Sequence, residues 1–190
     1  MREVSLPDQA FTEMISERLV LRRFRPGDAA AFAAYRTVPA VAAFQSWDAP
    51  YPLQNAEQLI RGMAGADPDT PGAWFQFAVT ARPDGVLVGD CGTCVSLDDP
   101  RQVEIGFTIA PEHQGHGYAT EAVRRLVDYW FRDRGKHRVT ASCDARNGAS
   151  ARVLQRAGFR PEGHLRESTW AKGEWTDDLL FAVLERDWRR

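Results

Sequence analysis

The segment Pro111-Glu-His-Gln-Gly-His-Gly-Tyr-Ala-Thr-Glu-Ala122 decides how the rest of the chain is interpreted. It follows a strand-like run, Val103–Ile109, and opens a stretch whose apolar residues recur at helical spacing. The first turn of a helix leaves backbone N–H groups unpaired and carries a partial positive charge. Gly115 and Gly117 precede that turn, and their missing side chains let a bulky anion approach these groups closely. The segment therefore predicts a phosphate-binding turn between a strand and a helix.

Length and charge narrow the class of protein. The chain has 190 residues and a formal net charge of −2, which predicts one domain over 16–190 after a short N-terminal extension over 1–15. The balanced charge gives no reason to expect nucleic acid or an anionic membrane as a partner. The sequence contains neither a long apolar run nor the apolar core of a signal peptide. Its three cysteines suit a reducing compartment. We therefore expect a cytoplasmic protein.

Hydrophobic periodicity predicts an α/β (α+β) single domain, with a mixed and mostly antiparallel sheet of about seven strands and helices on both faces. The strand before the glycine turn and the strand after the following helix form a βαβ unit, so these two should be parallel. The predicted strands are 17–24, 73–81, 85–95, 101–109, 137–143, 159–170 and 175–185, and the predicted helices are 28–36, 54–65, 117–134 and 147–157.

The glycine pair by itself has several interpretations. It can shape a turn without binding any ligand. It is not a P-loop, because no Gly-Lys-Ser/Thr follows, and it lacks the third glycine and the downstream acidic residue of a dinucleotide-binding fingerprint. The rest of the chain has to distinguish these interpretations.

Two motifs at matching positions carry a family resemblance. Gln114-Gly-His-Gly-Tyr-Ala119 fits the pattern Gln/Arg-x-x-Gly-x-Gly/Ala, and Asn147-Gly-Ala-Ser150 opens a helix that ends in Ala157-Gly-Phe159. Together they resemble the GCN5-related N-acetyltransferase (GNAT) superfamily, most closely its RimJ/RimL-like branch. That branch includes enzymes that acetylate ribosomal-protein N-termini and others that act on small amines. The segments 17–25 and 173–180 also look like that branch.

The resemblance implies acetyl-CoA as the cosubstrate. It places the pantetheine arm along Phe107 and Ile109, in the gap where the two parallel strands splay apart at the centre of the sheet. Asn147 is expected to hydrogen-bond the pantetheine with Ser150 near the thiol, although Asn147 also suits a plain helix N-cap. The backbone N–H groups expected to hold the pyrophosphate are those of Gln114, Gly115, His116, Gly117, Tyr118, Ala119 and Thr120.

Catalytic roles follow from the same resemblance. Many relatives carry a glutamate at the position of Glu104 that deprotonates the amine through water, and strand alternation separates Glu104 from its apolar neighbours. The alternative is an edge carboxylate paired with an arginine. Many members use a tyrosine seven residues after the motif asparagine as general acid, but Leu154 stands there. We therefore expect Ser150 or water to protonate the departing thiolate.

Cys91-Gly-Thr-Cys94 is a candidate redox or metal pair. On a strand, however, an odd offset turns the two thiols to opposite faces, and no second cysteine pair exists. We therefore predict core packing and no metal.

The acceptor side of the cleft is expected near an aromatic-rich set of residues. Trp47, Tyr51 and Trp74 are the substrate-binding candidates, and either Trp74 or Phe75 must face inward. Two further tryptophans flank the last hairpin, where they would line the same cleft or a homodimer contact. They are Trp170 and Trp175.

These residues predict an acetyl-CoA-dependent N-acetyltransferase that transfers the acetyl group directly, in a ternary complex, to a primary amine. The amine would be a protein N-terminal α-amine or a small molecule. A non-catalytic acyl-CoA-binding or sensing module is the alternative. The missing tyrosine favours that module, whereas Glu104, Asn147 and Ser150 argue against it. A nucleotide-binding protein of other chemistry is a third, weaker alternative.

Overall fold

The computed structural model describes residues 11 and 13–188. They form one eight-stranded sheet with helices on both faces. The strands are β1 (Glu13–Ile15), β2 (Leu19–Arg23), β3 (Trp74–Ala81), β4 (Leu87–Val95), β5 (Gln102–Ile109), β6 (Arg138–Asp144), β7 (Arg160–Ala171) and β8 (Glu174–Leu184). The helices are α1 (Ala29–Arg36), α2 (Pro39–Ala42), α3 (Leu53–Met63), α4 (Tyr118–Asp128), α5 (Gly148–Ala157) and α6 (Glu185–Trp188).

The predicted fold class is confirmed, with one strand and two helices more than the sequence indicated. The extra strand, β1, has three residues, too few to show an alternating pattern, and it pairs with β2. It lies within the predicted N-terminal extension over 1–15, of which residues 1–10 and 12 lie outside the described part of the chain. None of the helices in the described part is both long and apolar enough to cross a bilayer.

The sheet has the order β1-β2-β3-β4-β5-β6-β8-β7. Every neighbouring pair is antiparallel except β5 and β6, which are parallel as predicted. Their pairing covers only Gln102–Glu104 against Arg138–Thr140. The remaining residues of both strands diverge, so a gap opens at the centre of the sheet.

One face of the sheet carries the main core. The buried side of α4 consists of Ala122, Val123, Leu126 and Val127, all fully buried, and the helix continues into a π-helical turn over Tyr129–Asp133. Each such side chain contributes roughly 1–3 kcal/mol by leaving water. This packing fixes the start of α4 next to the end of β5.

The opposite face is covered at one end only. There α1 and α3 pack Phe32 and Ile60 against Ala78 and Ala110 of the sheet region. Further along the same face, Gln76 of β3, Gly92 of β4 and Gly106 of β5 lie side by side on neighbouring strands. No atom of another described residue, apart from the two chain neighbours, lies within 4 Å of the place where a Cβ of residue 106 would stand. This uncovered part of the face borders the central gap.

Candidate active site

The glycine turn has the geometry that its sequence indicates. Gly115 and Gly117 have φ angles of +79° and +81°, in the left-handed region that other residues rarely adopt. Gly117 is the N-cap of α4. The turn is tied back to β5, because Gln114 Nε2 donates a hydrogen bond of 2.9 Å to the carbonyl oxygen of Ile109. The prediction of a glycine turn that joins a strand to a helix is confirmed.

A cavity of about 440 Å³ lies between this turn, the first turns of α5 and the free part of β5. Most of the predicted cofactor-binding residues line it. They are Phe107, Ile109, Gln114, Gly115, Gly117, Tyr118, Ala119, Thr120, Asn147 and Ser150. His116 does not line the cavity: its ring stacks on Tyr118 and its carbonyl oxygen accepts a hydrogen bond from Arg18.

Several residues that were not predicted from the sequence line the same cavity. Arg152 and Arg156 point into it from α5, where they are four residues apart and so on one helical face. That spacing was a readable signal of a cationic stripe beside the predicted phosphate site. Ala40, Val41, Phe44 and Gln45 come from α2 and the residues after it, a segment that the sequence indicated to be a loop.

The free edge of β5 faces the gap. Successive residues of a strand direct their backbone N–H and C=O groups to alternate edges of that strand. The Ala110 amide donates to the Val88 carbonyl oxygen on β4 at 2.9 Å, so the backbone groups of Phe107 and Ile109 point to the other edge of β5, away from β4. Those groups have no strand partner, because the β5–β6 pairing ends at Glu104, although the Ile109 carbonyl oxygen accepts the hydrogen bond from Gln114 Nε2. This edge is therefore available to an extended polar ligand.

Arg18 supports the glycine turn from outside. Its Nη1 donates to the His116 carbonyl oxygen at 2.9 Å, and its Nε donates to Glu121 Oε2 at 2.7 Å. Burial alone would raise the pKa of Glu121, but hydrogen bonds from the Arg18 backbone and the Ser16 hydroxyl, together with the guanidinium, outweigh it and lower that pKa. The carboxylate therefore stays charged and holds Arg18 on the turn.

Asn147 caps α5. Its Oδ1 accepts a 3.1 Å hydrogen bond from the backbone amide of Ser150, and both residues line the cavity. Leu154, at the position where many relatives carry a tyrosine, is 1% exposed in the core. Leu154 therefore contributes to the core and carries no group that could donate a proton.

Glu104 lies exposed at the point where β5 and β6 part. It is not among the cavity-lining residues, and its Oε1 accepts a 3.4 Å hydrogen bond from Ser142 Oγ. No lysine or arginine in the described part of the chain forms an ion pair with it, so the described residues give no support to the arginine-paired alternative. Glu104 shares its face of the sheet with Cys94 and Trp74.

The aromatic candidates separate into two groups. Trp74 is 48% exposed on the open face and Phe75 is buried, which confirms that one of the two faces inward. Trp47 instead places its ring 3.8 Å from the guanidinium carbon of Arg36, with Tyr51 at 5.3 Å. The structure thus brings Trp47 and Tyr51 to a buried cation and not to the cavity.

That cation is part of a buried polar cluster. Arg36 Nη2 donates to Asp90 Oδ2 at 3.0 Å, and the Tyr35 hydroxyl donates to Asp90 Oδ1 at 2.6 Å. Burial and the Asp90 charge raise the pKa of Tyr35 well above its ordinary value, so this hydroxyl remains a donor. The cluster anchors the segment after α1, and that segment forms one wall of the cavity.

The last hairpin reaches the same segment. Lys172 Nζ donates to the Trp47 carbonyl oxygen at 2.7 Å and to Asp48 Oδ1 at 2.9 Å. Trp170 and Trp175 remain 60% and 57% exposed beside this turn. Their predicted role in the cleft or in a homodimer stays a prediction.

The cysteine pair has the arrangement that strand alternation indicates. Cys91 is buried in the main core, whereas Cys94 lies on the opposite face beside Glu104. Burial raises the pKa of the Cys91 thiol far above its ordinary value. Within residues 11 and 13–188, no group of three or more His, Cys, Asp or Glu side chains is placed to hold a metal ion.

Known proteins share this architecture. The family model of the acetyltransferase (GNAT) domain matches residues 18–160. The chain is 28% identical over 175 residues to the Bacillus licheniformis protein named "Uncharacterized N-acetyltransferase p20". The aligned residues cover 92% of this chain and 97% of the relative. A GNAT-family acetyltransferase from Bacillus anthracis superposes with a TM-score of 0.83 at 26% identity, covering 92% and 99% of the two chains. Mycobacterium smegmatis RimJ in complex with CoA-disulfide gives a TM-score of 0.77 at 26% identity, covering 89% and 83%. The chain belongs to the GNAT family and is an N-acetyltransferase.

Proposed function

We propose that this N-acetyltransferase, over residues 16–190, moves the acetyl group of acetyl-CoA directly to a primary amine while both substrates are bound. The amine is a protein N-terminal α-amine or a small-molecule amine. One observation carries the proposal: the cavity between α4 and α5 runs along the free edge of β5 toward the point where Glu104 stands. Three free cysteines suit a reducing compartment, so we place the enzyme in the cytoplasm.

The residues of the cavity fit coenzyme A. The first turn of α4 offers unpaired N–H groups to a diphosphate, and Gly115 leaves open space beside them. Arg152 and Arg156 add cationic groups for further phosphate oxygens. The backbone groups of Phe107 and the N–H of Ile109, which have no strand partner, suit the amide groups of pantetheine, while the Ile109 carbonyl oxygen is held by Gln114. Acetyl-CoA supplies a thioester, which is an activated acyl group.

The protein's own groups have two tasks in this reaction. Glu104 takes a proton from the incoming ammonium through a water molecule, since an exposed carboxylate without an ion-pair partner in the described chain is free to accept it. Ser150, at the start of α5 and on the cavity wall, passes to the departing thiolate the proton that the attacking nitrogen loses as the amide forms, so the hydroxyl is restored. Leu154 is buried and carries no proton donor, and Ser150 lies four residues, about one helical turn, before it on α5.

The test is turnover of acetyl-CoA with a panel of amines that includes peptides, amino-acid amides and polyamines, scored by free thiol and by product mass. We expect thiol release that requires both substrates, with coenzyme A and not ATP as a competitor. Calorimetric binding of acetyl-CoA without any acetylated product would favour the non-catalytic acyl-CoA-binding module instead.

A further inference from the structure

The carboxamide of Gln76 is a buried polar group that the reaction described above does not use. Gln76 lies on β3, and its side chain is on the open face, in register with Gly92 of β4 and Gly106 of β5. Its Oε1 is buried and has no hydrogen-bond partner among the described residues. An unpaired buried carbonyl oxygen costs stability, so such a group calls for an explanation.

Two glycines make room around this group. A Cβ at Gly92 would stand 2.8 Å from Gln76 Nε2 and 3.1 Å from Oε1, so the carboxamide lies directly on the Gly92 backbone. A Cβ at Gly106 would meet nothing within 4 Å. The strip of the open face from the Gln76 carboxamide across Gly106 to the gap between β5 and β6 therefore carries no side chain at Gly92 or Gly106, and we call this strip the groove.

The groove lies close to Glu104, the proposed base. Gly106 lies two residues beyond Glu104 on the same face, about 7 Å along the strand. Neighbouring strands are about 4.8 Å apart, so a group above Gly92 lies about 5–10 Å from the gap. A ligand that presents its amine at the gap beside Glu104 would thus extend toward Gln76.

We propose that Gln76 is a specificity-determining residue for the acceptor: its Oε1 accepts a hydrogen bond from a second N–H or O–H group of the amine substrate. The inference rests on the proposed function. It names the acceptor class as amines that carry a second hydrogen-bond donor, such as an amide N–H or a hydroxyl, a few bonds from the reacting nitrogen. A simple alkylamine leaves Oε1 unpaired and is the poorer substrate.

The experiment compares amino alcohols of increasing length with the alkylamines in which a methyl group replaces the hydroxyl. We expect the wild-type enzyme to prefer the amino alcohol at the matching length by about tenfold in kcat/KM, the value of one hydrogen bond to a buried acceptor. Gln76→Leu should abolish that preference, and Gln76→Glu, which keeps an acceptor oxygen at the same reach, should retain it. The Kd for coenzyme A should be unchanged in both variants.

Gly106→Ala is a second variant that tests the groove without touching Gln76. The site has space for a methyl group and glycine is unfavourable inside a strand, so we expect a Tm that is not lowered, an unchanged Kd for coenzyme A and a lower kcat/KM for every amine. Gly62→Ala, in an exposed and equally open position, is the matched control.

Each remaining outcome overturns the inference in a distinguishable way. If Gln76→Leu keeps the preference, or lowers Tm alone, then Oε1 is a structural group that pairs with a buried water. If Gly106→Ala leaves all acceptor kinetics unchanged, the acceptor does not use the groove. If the wild-type enzyme acetylates no amine at all, the proposed function is wrong and the inference falls with it.

Discussion

Glu104 and Thr140 form the last residue pair through which β5 and β6 lie side by side. Beyond this pair the free edge of β5 borders the cavity, and on the open face the Glu104 carboxylate stands at the apex of the gap. The geometry that ends the strand pairing thus also places the proposed base where the proposed donor arm would end.

The first prediction concerns Glu104. Replacing it by glutamine removes a proton acceptor while keeping the shape, so kcat/KM should fall by about 10²–10⁴-fold. The Kd for coenzyme A and the Tm should not change, because the side chain is exposed and lies outside the cavity. Stopped-flow thiol release and calorimetry measure the two quantities. Full activity of Glu104→Gln across the pH range would remove this residue from the mechanism.

The second prediction separates the two residues at the start of α5. Ser150→Ala keeps the backbone amide that bonds to Asn147, so stability should hold while kcat falls. Asn147→Ala removes the helix cap and should cost about 1 kcal/mol of unfolding free energy. Urea unfolding and steady-state kinetics on both variants give the comparison. Unchanged kcat in Ser150→Ala would assign the protonation of the thiolate to water.

The third prediction tests the glycine turn. Gly117→Ala forces a Cβ onto a backbone with a φ of +81°, which should cost about 1–2 kcal/mol and weaken coenzyme A binding. The new Cβ would also lie 3.4 Å from Arg18 Nη2. Gly62→Ala in α3 is the control and should stabilise the protein by about 0.5–1 kcal/mol. Equal coenzyme A affinity in the wild type and Gly117→Ala would contradict the proposed phosphate site.

The fourth prediction concerns the buried ion pair that anchors the cavity wall. Arg36→Met removes the counter-ion of Asp90, which is 2% exposed and keeps, in the described chain, only the hydrogen bond from Tyr35, so unfolding should become easier by about 3–5 kcal/mol. The exposed pair of Arg61 and Glu57 is the control, and Arg61→Met should change stability by less than about 0.5 kcal/mol. Denaturant unfolding of both variants checks the difference. Similar small losses in the two would mean that the buried pair is not an anchor.

The fifth prediction is a pH dependence at Glu121. Its pKa is lowered from the usual 4.5 in the folded protein, so it binds fewer protons there than in the unfolded chain. Its stabilising contribution is therefore present above that usual value and is lost as pH falls through the lower, folded pKa. The Tm difference between wild type and Glu121→Gln should be largest near neutral pH and shrink under acid conditions. A Tm difference that grows as the pH falls would show that the charged form of Glu121 does not stabilise the folded protein.

Local pattern was sufficient for the parts of the molecule that depend on local geometry. Two glycines before a helical period predicted the turn between β5 and α4, and Asn147 three residues before Ser150 indicated a cap. Period-two alternation separated Glu104 from its apolar neighbours and placed Cys91 and Cys94 on opposite faces. These features depend on backbone angles and on the side of a strand, both of which a few neighbouring residues set.

Contacts between distant segments determined the rest. Trp47 is turned away from the cavity because Arg36, eleven residues earlier, offers a cation for its ring. The short α2 becomes a cavity wall only because α1 is anchored to Asp90 on β4. The Gln76 carboxamide lies beside two residues without side chains only because Gly92 and Gly106 line up with it across three strands. Neither strand register nor a cross-chain ion pair is encoded in any single segment, since each arises only when separate segments meet.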